Sequence, residues 1–402
     1  MKTFKYLLLF LLWCSIVRGE ESVKALKEEL HKLTEELSTI TRNYEERIRT
    51  LEEKINQLEK AAGSQPVKFT EVKEKKTSSL SLPDISVIGD ISGFFGPDRE
   101  GDESRNKIFL QELELGLQGY LFPEVRADAF VCLHRHQDGD YQVELEEGYV
   151  SFLNLGHGLS AQIGKKLIPF GKINPVHPHH WDFVDRPAVL REYLGGHGLA
   201  GNGLNISYQL PLPFFAQVEG GFWQVEAEHT HGPEPMASPA DKVYSGRIWL
   251  AGELGPTELE LGFSGLKGYG SHHQDHLDKL SVYGTDLTLK YLGRGYQRFL
   301  WRSELLHCER KIPLGRISHW GAYTFLNWRW DKYWNVGFRY DWVQPPFPSS
   351  LRSPEKKSSL ILTRNLSEMN LLRLQAQTDM KEDFGVYLQI LFGIGPHSHL
   401  LE

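Results

Sequence analysis

WNVGFRYDW, residues 334–342, carries large apolar or aromatic side chains at every second position: Trp334, Val336, Phe338, Tyr340 and Trp342. Asn335, Gly337, Arg339 and Asp341 lie between them. At about 3.6 residues per turn those aromatics would spread around a whole helix; at a period of two they line one face of a strand. One such strand fits a soluble sheet as well as a membrane barrel, so the decision passes to the rest of the chain.

The pattern recurs from residue 84 to 394. ELELGLQGYL (112–121) sets Leu113, Leu115 and Leu117 against Glu112, Glu114 and Gln118. VRADAFVCL (125–133) sets Val125, Ala127, Ala129 and Val131 against Arg126 and Asp128, and FGVYLQILF (384–392) repeats the alternation. The period predicts sixteen strands, over 84–95, 107–121, 124–136, 141–153, 158–168, 203–210, 213–224, 242–254, 256–269, 278–292, 295–309, 316–328, 331–343, 356–366, 369–378 and 383–394. Short links such as 121–124, 254–257 and 328–331 alternate with longer ones at 96–106, 169–202, 225–241, 270–277, 310–315 and 344–355. Alternating link length is expected of a barrel with one periplasmic rim and one outer rim. A soluble two-sheet protein is the alternative, but a closed soluble barrel of this size could not fill its interior with side chains. The fold expected is therefore an all-β transmembrane β-barrel of about 16 antiparallel strands. Its polar face would line an aqueous lumen, and Phe338→Arg should block assembly where Arg339→Ala should not.

The N-terminal region has a different character. Lys2 and Lys5, then the apolar run YLLLFLLWCSIV and the small Gly19 before Glu20, predict a signal peptide over 1–19. An uncleaved anchor is the alternative, and a lipid anchor at Cys14 is disfavoured by the bulky Trp13 beside it. Residues 20–62 predict an α-helical coiled coil. Val23, Leu26, Leu30, Leu33, Leu37, Ile40 and Tyr44 form a heptad seam, continued by Ile48, Leu51, Ile55, Leu58 and Ala62 after a stutter. Forty such residues would reach about 60 Å, and Ile and Leu mixed at both seam positions favour a trimer over a dimer; a lone amphipathic helix would show a wider apolar face. Residues 63–81 read as a linker, 82–395 as the barrel and 396–402 as a tail.

The chain of 402 residues has a net charge of −7, which excludes a nucleic-acid binder built on bulk positive charge. Cys132 and Cys308 have no metal or redox spacing and read as isolated thiols. No nucleophile–base motif or phosphate-binding glycine loop is present, so no enzyme and no cofactor are expected. Three histidine clusters occur, at His177, His179 and His180, at His229 and His231, and at His272, His273 and His276. Metal binding is an alternative at each, but without clean ligand spacing the reading is that none is a metal site.

GKKLIPFGKINPVHPHHWDFVDRP (164–187), EYLGGHGLAGNGLNISYQLPLP (192–213) and LQILFGIGPHSHL (388–400) resemble bacterial outer-membrane porin-like proteins, similar to phosphate-selective-type porins. Relatives of that group are often labelled zinc-regulated, TonB-dependent outer-membrane receptors. An energised receptor needs a plug inside a barrel of about 22 strands, and the chain is too short for both. The resemblance covers about the last four-fifths of the chain. It implies a sixteen-stranded outer-membrane barrel behind a periplasmic coiled coil, with outer-membrane lipid, two further copies in a homotrimer and the barrel assembly machinery as partners. Asp383, Gly385, Leu388 and Ile390 match an assembly signal, although residues 395–402 follow it where such signals end the chain.

The longest link, 169–202, is the third outer loop by order, and in general porins that loop folds inward. Its Lys172, Asp182, Asp185, Arg186, Arg191 and Glu192 would then face one another across a constriction selecting by size and charge; the alternative is a surface loop held by its own salt bridges. By alternation Glu112, Glu114, Arg126, Asp128, Lys166, Arg298, Arg302, Glu304, Arg339 and Asp341 project to the lumen. With both signs present, neither anion nor cation preference follows. The function expected is a porin for passive diffusion of small polar or ionic solutes. A binding or uptake receptor, possibly for a metal, and a tether joining the outer membrane to the periplasm through the coiled coil are the alternatives.

Overall fold

A computed structural model of the chain describes residues 83–97, 105–135, 139–226, 238–270, 278–312, 315–346, 353–367, 369–379 and 384–396. The readings of a signal peptide, coiled coil and linker over 1–81 lie outside these residues, as do the histidines at 229, 231, 272, 273 and 276 and the tail from 397.

Sixteen antiparallel strands close on themselves, each hydrogen-bonded to its sequence neighbours and β1 to β16. They are β1 (Asp84–Phe95), β2 (Lys107–Phe122), β3 (Val125–Arg135), β4 (Tyr141–Phe152), β5 (Leu159–Leu167), β6 (Ala200–Gln209), β7 (Phe215–Val225), β8 (Pro239–Leu254), β9 (Thr257–Gly270), β10 (Asp278–Leu292), β11 (Arg298–Ile312), β12 (Gly315–Arg329), β13 (Trp334–Val343), β14 (Glu355–Asn365), β15 (Leu371–Asp379) and β16 (Phe384–Ile394). Closure pairs the backbone around the whole ring and leaves no edge strand among the described residues, as a hydrocarbon surround requires. One expected link differs: β11 and β12 extend until only 313–314 join them, where 310–315 was expected as a long loop. The hydrogen-bonded register runs on to Ile312 opposite Gly315.

The opening stretch fixes the orientation of the wall. Val336 and Phe338 are exposed on the outside, whereas Arg339 and Asp341 are wholly buried. Phe338 sits between Leu326 of β12 and Leu360 of β14, both also exposed. Exposed aromatics gather at the rim of short turns: Tyr120 and Phe122, Tyr208 and Phe214, Tyr291 and Tyr296, and Trp328, Trp330 and Tyr333. An aliphatic outer band edged by an aromatic girdle is the exterior of a barrel that meets lipid.

The interior departs from the expected polar lining. Along β7 to β14 the inward positions include Trp223, Val243, Leu266, Val282, Leu306, Tyr323, Phe325 and Ile361, all nearly fully buried. They form one apolar cluster with Ile168, Phe170, Phe183, Val189, Leu190 and Tyr193 of the β5–β6 connection. The barrel therefore holds a core made by its own wall and an inward-folded loop.

Candidate functional site: the inward loop and its vestibule

The loop enters after Leu167 and leaves at Ala200. Asn174 ties its neck: its side-chain amide donates to the carbonyls of Ile168 and Leu199 at 2.8 and 3.1 Å, and its Oδ1 accepts the Leu199 N–H at 2.9 Å. Arg186 donates to the same Oδ1 at 2.7 Å. Farther along, Pro187 leads into a seven-residue helix, α1 (Ala188–Leu194), with Ala188, Val189, Leu190, Tyr193 and Leu194 buried. Asp341 of β13 accepts the first free N–H of α1, from Ala188, at 3.0 Å, meeting a donor that the helix itself leaves open. The wall gives way where the loop presses closest: a Cβ on Gly321 would meet the Val189 side chain, and one on Gly284 the Phe170 ring.

Each loop charge singled out in the sequence has a wall partner or a loop partner. Lys172 pairs with Glu260 of β9 at 2.9 Å, both buried. Asp182 pairs with Arg302 of β11 at 3.3 Å. Asp185 pairs with Arg339 at 2.7 Å and with Lys357 of β14 at 3.2 Å, and accepts from the Gln375 amide. Burial alone would raise the Asp185 carboxyl, but the charges of Arg339 and then Lys357 outweigh it and hold the group far below the usual carboxylate range. Arg191 reaches Glu192 at 3.2 Å and Glu355 at 3.0 Å. The six residues are thus not ranged against one another across an opening. Lys172, Asp182 and Asp185 fasten the loop to the wall; for Lys172 and Asp185, largely shielded from water, a partner of opposite sign offsets the cost of burial, whereas Asp182 is partly exposed.

The second anchor is His177. Its ring lies between Glu114 of β2, 2.8 Å from Nδ1, and Glu147 of β4, 2.8 Å from Nε2, with Glu146 at 3.4 Å. Burial disfavours the protonated ring, but the Glu146 charge and hydrogen bonds to Glu114, Glu146 and Glu147 win, raising its affinity for a proton. A third anchor is Arg373 of β15, which donates to the backbone carbonyls of Trp181 and Phe183 at 2.9 and 3.3 Å.

The wall residues read from alternation take these places. Glu112, Glu114, Arg126, Asp128, Glu304, Arg339 and Asp341 are buried on the inner face. Arg126 pairs with Asp128 at 2.8 Å, and Glu304 accepts from the Ile173 N–H and the Tyr323 hydroxyl. Lys166 lies 4.2 Å above the Tyr149 ring and 4.0 Å from Glu147. Arg298 stands exposed at the start of β11, away from the loop. Arg339→Ala, expected from the sequence to leave assembly intact, would remove the cation from Asp341 and one of two cations from Asp185. Sequence reasoning missed Glu146 and Glu147, Lys357, Arg373 and Asn174. The two successive acids ahead of Gly148, Glu146 and Glu147, break the alternation and were a usable sign of irregular pairing; the others gave none.

Between the loop and the arc of β14, β15, β16, β1 and β2 remains a cavity of about 790 Å³. From the loop it is lined by Arg186, Arg191, Glu192 and His197, and from the wall by Asp90, Glu112, His134, Glu355 and Lys357 among others. Lys172, Asp182 and Asp185 do not line it.

No family model matches the chain. An uncharacterized protein of Aquifex aeolicus (strain VF5) is 26% identical over 316 residues, covering 65% of this chain and 64% of that relative. The chain thus spans a little under two thirds of the relative's length. Among solved structures, the trimer form of the outer-membrane protein OmpT of Vibrio cholerae aligns at TM-score 0.53 and 8% identity, over 78% of this chain and 99% of that one. The outer-membrane channel DcaP of Acinetobacter baumannii gives 0.52 and 10% over 79% and 99%. An anion-selective porin from Comamonas acidovorans gives 0.50 and 13% over 78% and 100%. The likeness is one of fold: a porin-type barrel.

Proposed function

We propose that the chain is a porin-like channel of a bacterial outer membrane, through which small polar or ionic solutes diffuse passively past the inward loop. One observation carries the reading. The loop packs its apolar side chains on the arc from β7 to β14 and reaches β2, β4 and β15 through single polar anchors, and a cavity of about 790 Å³ is left beside it at the arc from β14 to β2. A loop held in that way narrows a passage without filling it. The constriction is then set by Arg186, Arg191 and Glu192 from the loop with Glu355, Lys356 and Lys357 from the wall. Charges of both signs around one opening sieve by size and by dipole more than by net charge.

The same reading includes a homotrimer in the outer membrane, reached by way of the signal at 1–19 and the barrel assembly machinery, with the coiled coil at 20–62 in the periplasm. The heptad seam and the porin-type fold support it. The test is swelling of liposomes carrying the full chain in isotonic solutions of uncharged solutes of graded size. Uptake that falls steeply with solute size agrees with the proposal. Liposomes that hold the protein and swell no faster than empty ones would set it aside in favour of a receptor or a tether.

A further inference from the structure

Beside the His177 anchor lies a second group of metal-type donors, sharing only Glu146 with that anchor. Cys132 and His134 alternate along the inner face of β3. Their cross-strand partners on β2 are Glu114 and Glu112. On β4 the pairing slips: Phe130 faces Glu147 and Val131 faces Leu145, which leaves Glu146 as an extra residue. A bulge of this kind re-aims a side chain, and here two successive glutamates, Glu146 and Glu147, both point inward and are buried. Regular alternation would have sent one of them out to the apolar face.

The bulge brings Glu146 against the thiol, with Oε2 2.8 Å from the Cys132 sulfur. Glu114 Oε2 is 3.8 Å from that sulfur, and Glu112 Oε2 is 3.4 Å from His134 Nδ1. One donor atom from each of Cys132, His134 and Glu146 lies within 4.8 Å of the other two, and the same holds for Glu112, Cys132 and Glu146. Around a tetrahedral ion with bonds of about 2.0–2.3 Å, ligand atoms stand roughly 3.3–3.8 Å apart. Cys132 is fully buried and the other three are about nine-tenths buried. The other thiol among the described residues is a useful contrast: Cys308 is just as buried, but it sits in the apolar cluster beside Leu306 and Val282. Cys308 packs, and Cys132 is set among oxygen and nitrogen donors.

We propose that Glu112, Cys132, His134 and Glu146 bind one divalent transition-metal ion of the zinc type, admitted from the vestibule. Sulfur and imidazole donors discriminate against Ca²⁺ and Mg²⁺, which take oxygen ligands. The route is open on one side, since Glu112 and His134 line the cavity with His197 above them. Binding replaces the Cys132 S–H bond with a sulfur–metal bond and releases the proton to solvent. Glu114 and His177 form the surrounding shell, His177 bonding Glu114 while also facing Glu146. The ion would therefore tie the wall to the loop anchor. The site does not depend on the channel reading, because it needs only the folded barrel.

The full chain, folded in detergent micelles and stripped with chelator, is the material for the test. Zn²⁺ is added, free metal is removed, and bound metal is counted by mass spectrometry; Co²⁺ is added separately and its absorption recorded. One Zn²⁺ per chain is expected, with a near-ultraviolet thiolate-to-cobalt band. Cys132→Ser should abolish the band and weaken Zn²⁺ binding at least tenfold, while Cys308→Ser keeps both. Heat-modifiable gel migration checks that each variant is folded, and Glu146→Gln supplies a second weakened variant if Cys132→Ser does not fold. Two results would overturn the assignment. One is no retained Zn²⁺. The other is Zn²⁺ retained without a thiolate band and unaltered by Cys132→Ser or Glu146→Gln, which would locate the metal at other histidines.

Discussion

Arg339 is the strongest test of how the loop is held. Its guanidinium is fully buried, with Nε 2.8 Å from Asp341 and one terminal nitrogen 2.7 Å from Asp185. The other terminal nitrogen donates to the Asp185 backbone carbonyl at 2.7 Å, and the group lies 4.6 Å above the Phe183 ring. Arg339→Met keeps the length of the side chain and removes the charge. Asp185 retains Lys357 and Gln375, so its share of the loss is small. Asp341 retains the Ala188 N–H at 3.0 Å but loses the cation beside it. Breaking one buried pair from one side costs about 3–5 kcal/mol, most of it from the carboxylate left behind. Reversible unfolding in lipid vesicles, followed by tryptophan fluorescence, should show a loss in that range. Adding Asp341→Asn to Arg339→Met should recover much of it, since no buried charge is then abandoned. A single variant within about 1 kcal/mol of the parent, or a double variant no better than the single, would refute the reasoning, because contacting charges must couple.

Phe338→Arg puts a charge on the outer face near the middle of β13 and should cost about 2–4 kcal/mol, read in the same unfolding assay; an unaltered midpoint would mean that this face does not meet lipid. Phe183→Ala removes a fully buried ring packed edge-on against Tyr323 and Phe325, at a cost of about 3–5 kcal/mol. With its seat weakened, the loop should yield a larger and noisier conductance, and unaltered current traces would argue against the loop as the constriction. Asp185 sets a pH dependence. Its carboxyl is held below the unfolded value of about 3.9 by Arg339 and Lys357, so its stabilisation is present above that value and is lost as pH falls through the folded value. The difference in thermal midpoint between the parent and Asp185→Asn should stay constant from neutrality down to about pH 5 and shrink only in stronger acid. A gap that closes already between pH 7 and 5 would contradict the ion-paired latch.

The strands were legible because a wall between two unlike media writes its period of two directly into the residues, as WNVGFRYDW does. The apolar inner arc was harder to see, yet it left a trace. In FLWRSELLHC, residues 299–308, Leu300, Leu306 and Cys308 fall on the same face as Arg302 and Glu304, which suits a wall with lipid on one side and a packed, ion-paired loop on the other. The loop was legible as a long charged link and as a likeness to inward-folding loops, but its anchoring was not. Asp185 meets Arg339 and Gln375 across more than 150 intervening residues, and nothing local marks such partners. Glu146 was hidden for another reason. A bulge breaks the alternation from which inward and outward positions are read, so the residue that the bulge re-aims is the one that alternation misplaces.

The most direct measurement is single-channel current from the purified full chain in a planar bilayer, with a salt gradient for the reversal potential. Stable steps of small conductance, grouped in threes, with only weak ion preference, are what a trimeric channel narrowed by a mixed-charge loop predicts. A folded protein that inserts and remains silent would contradict it.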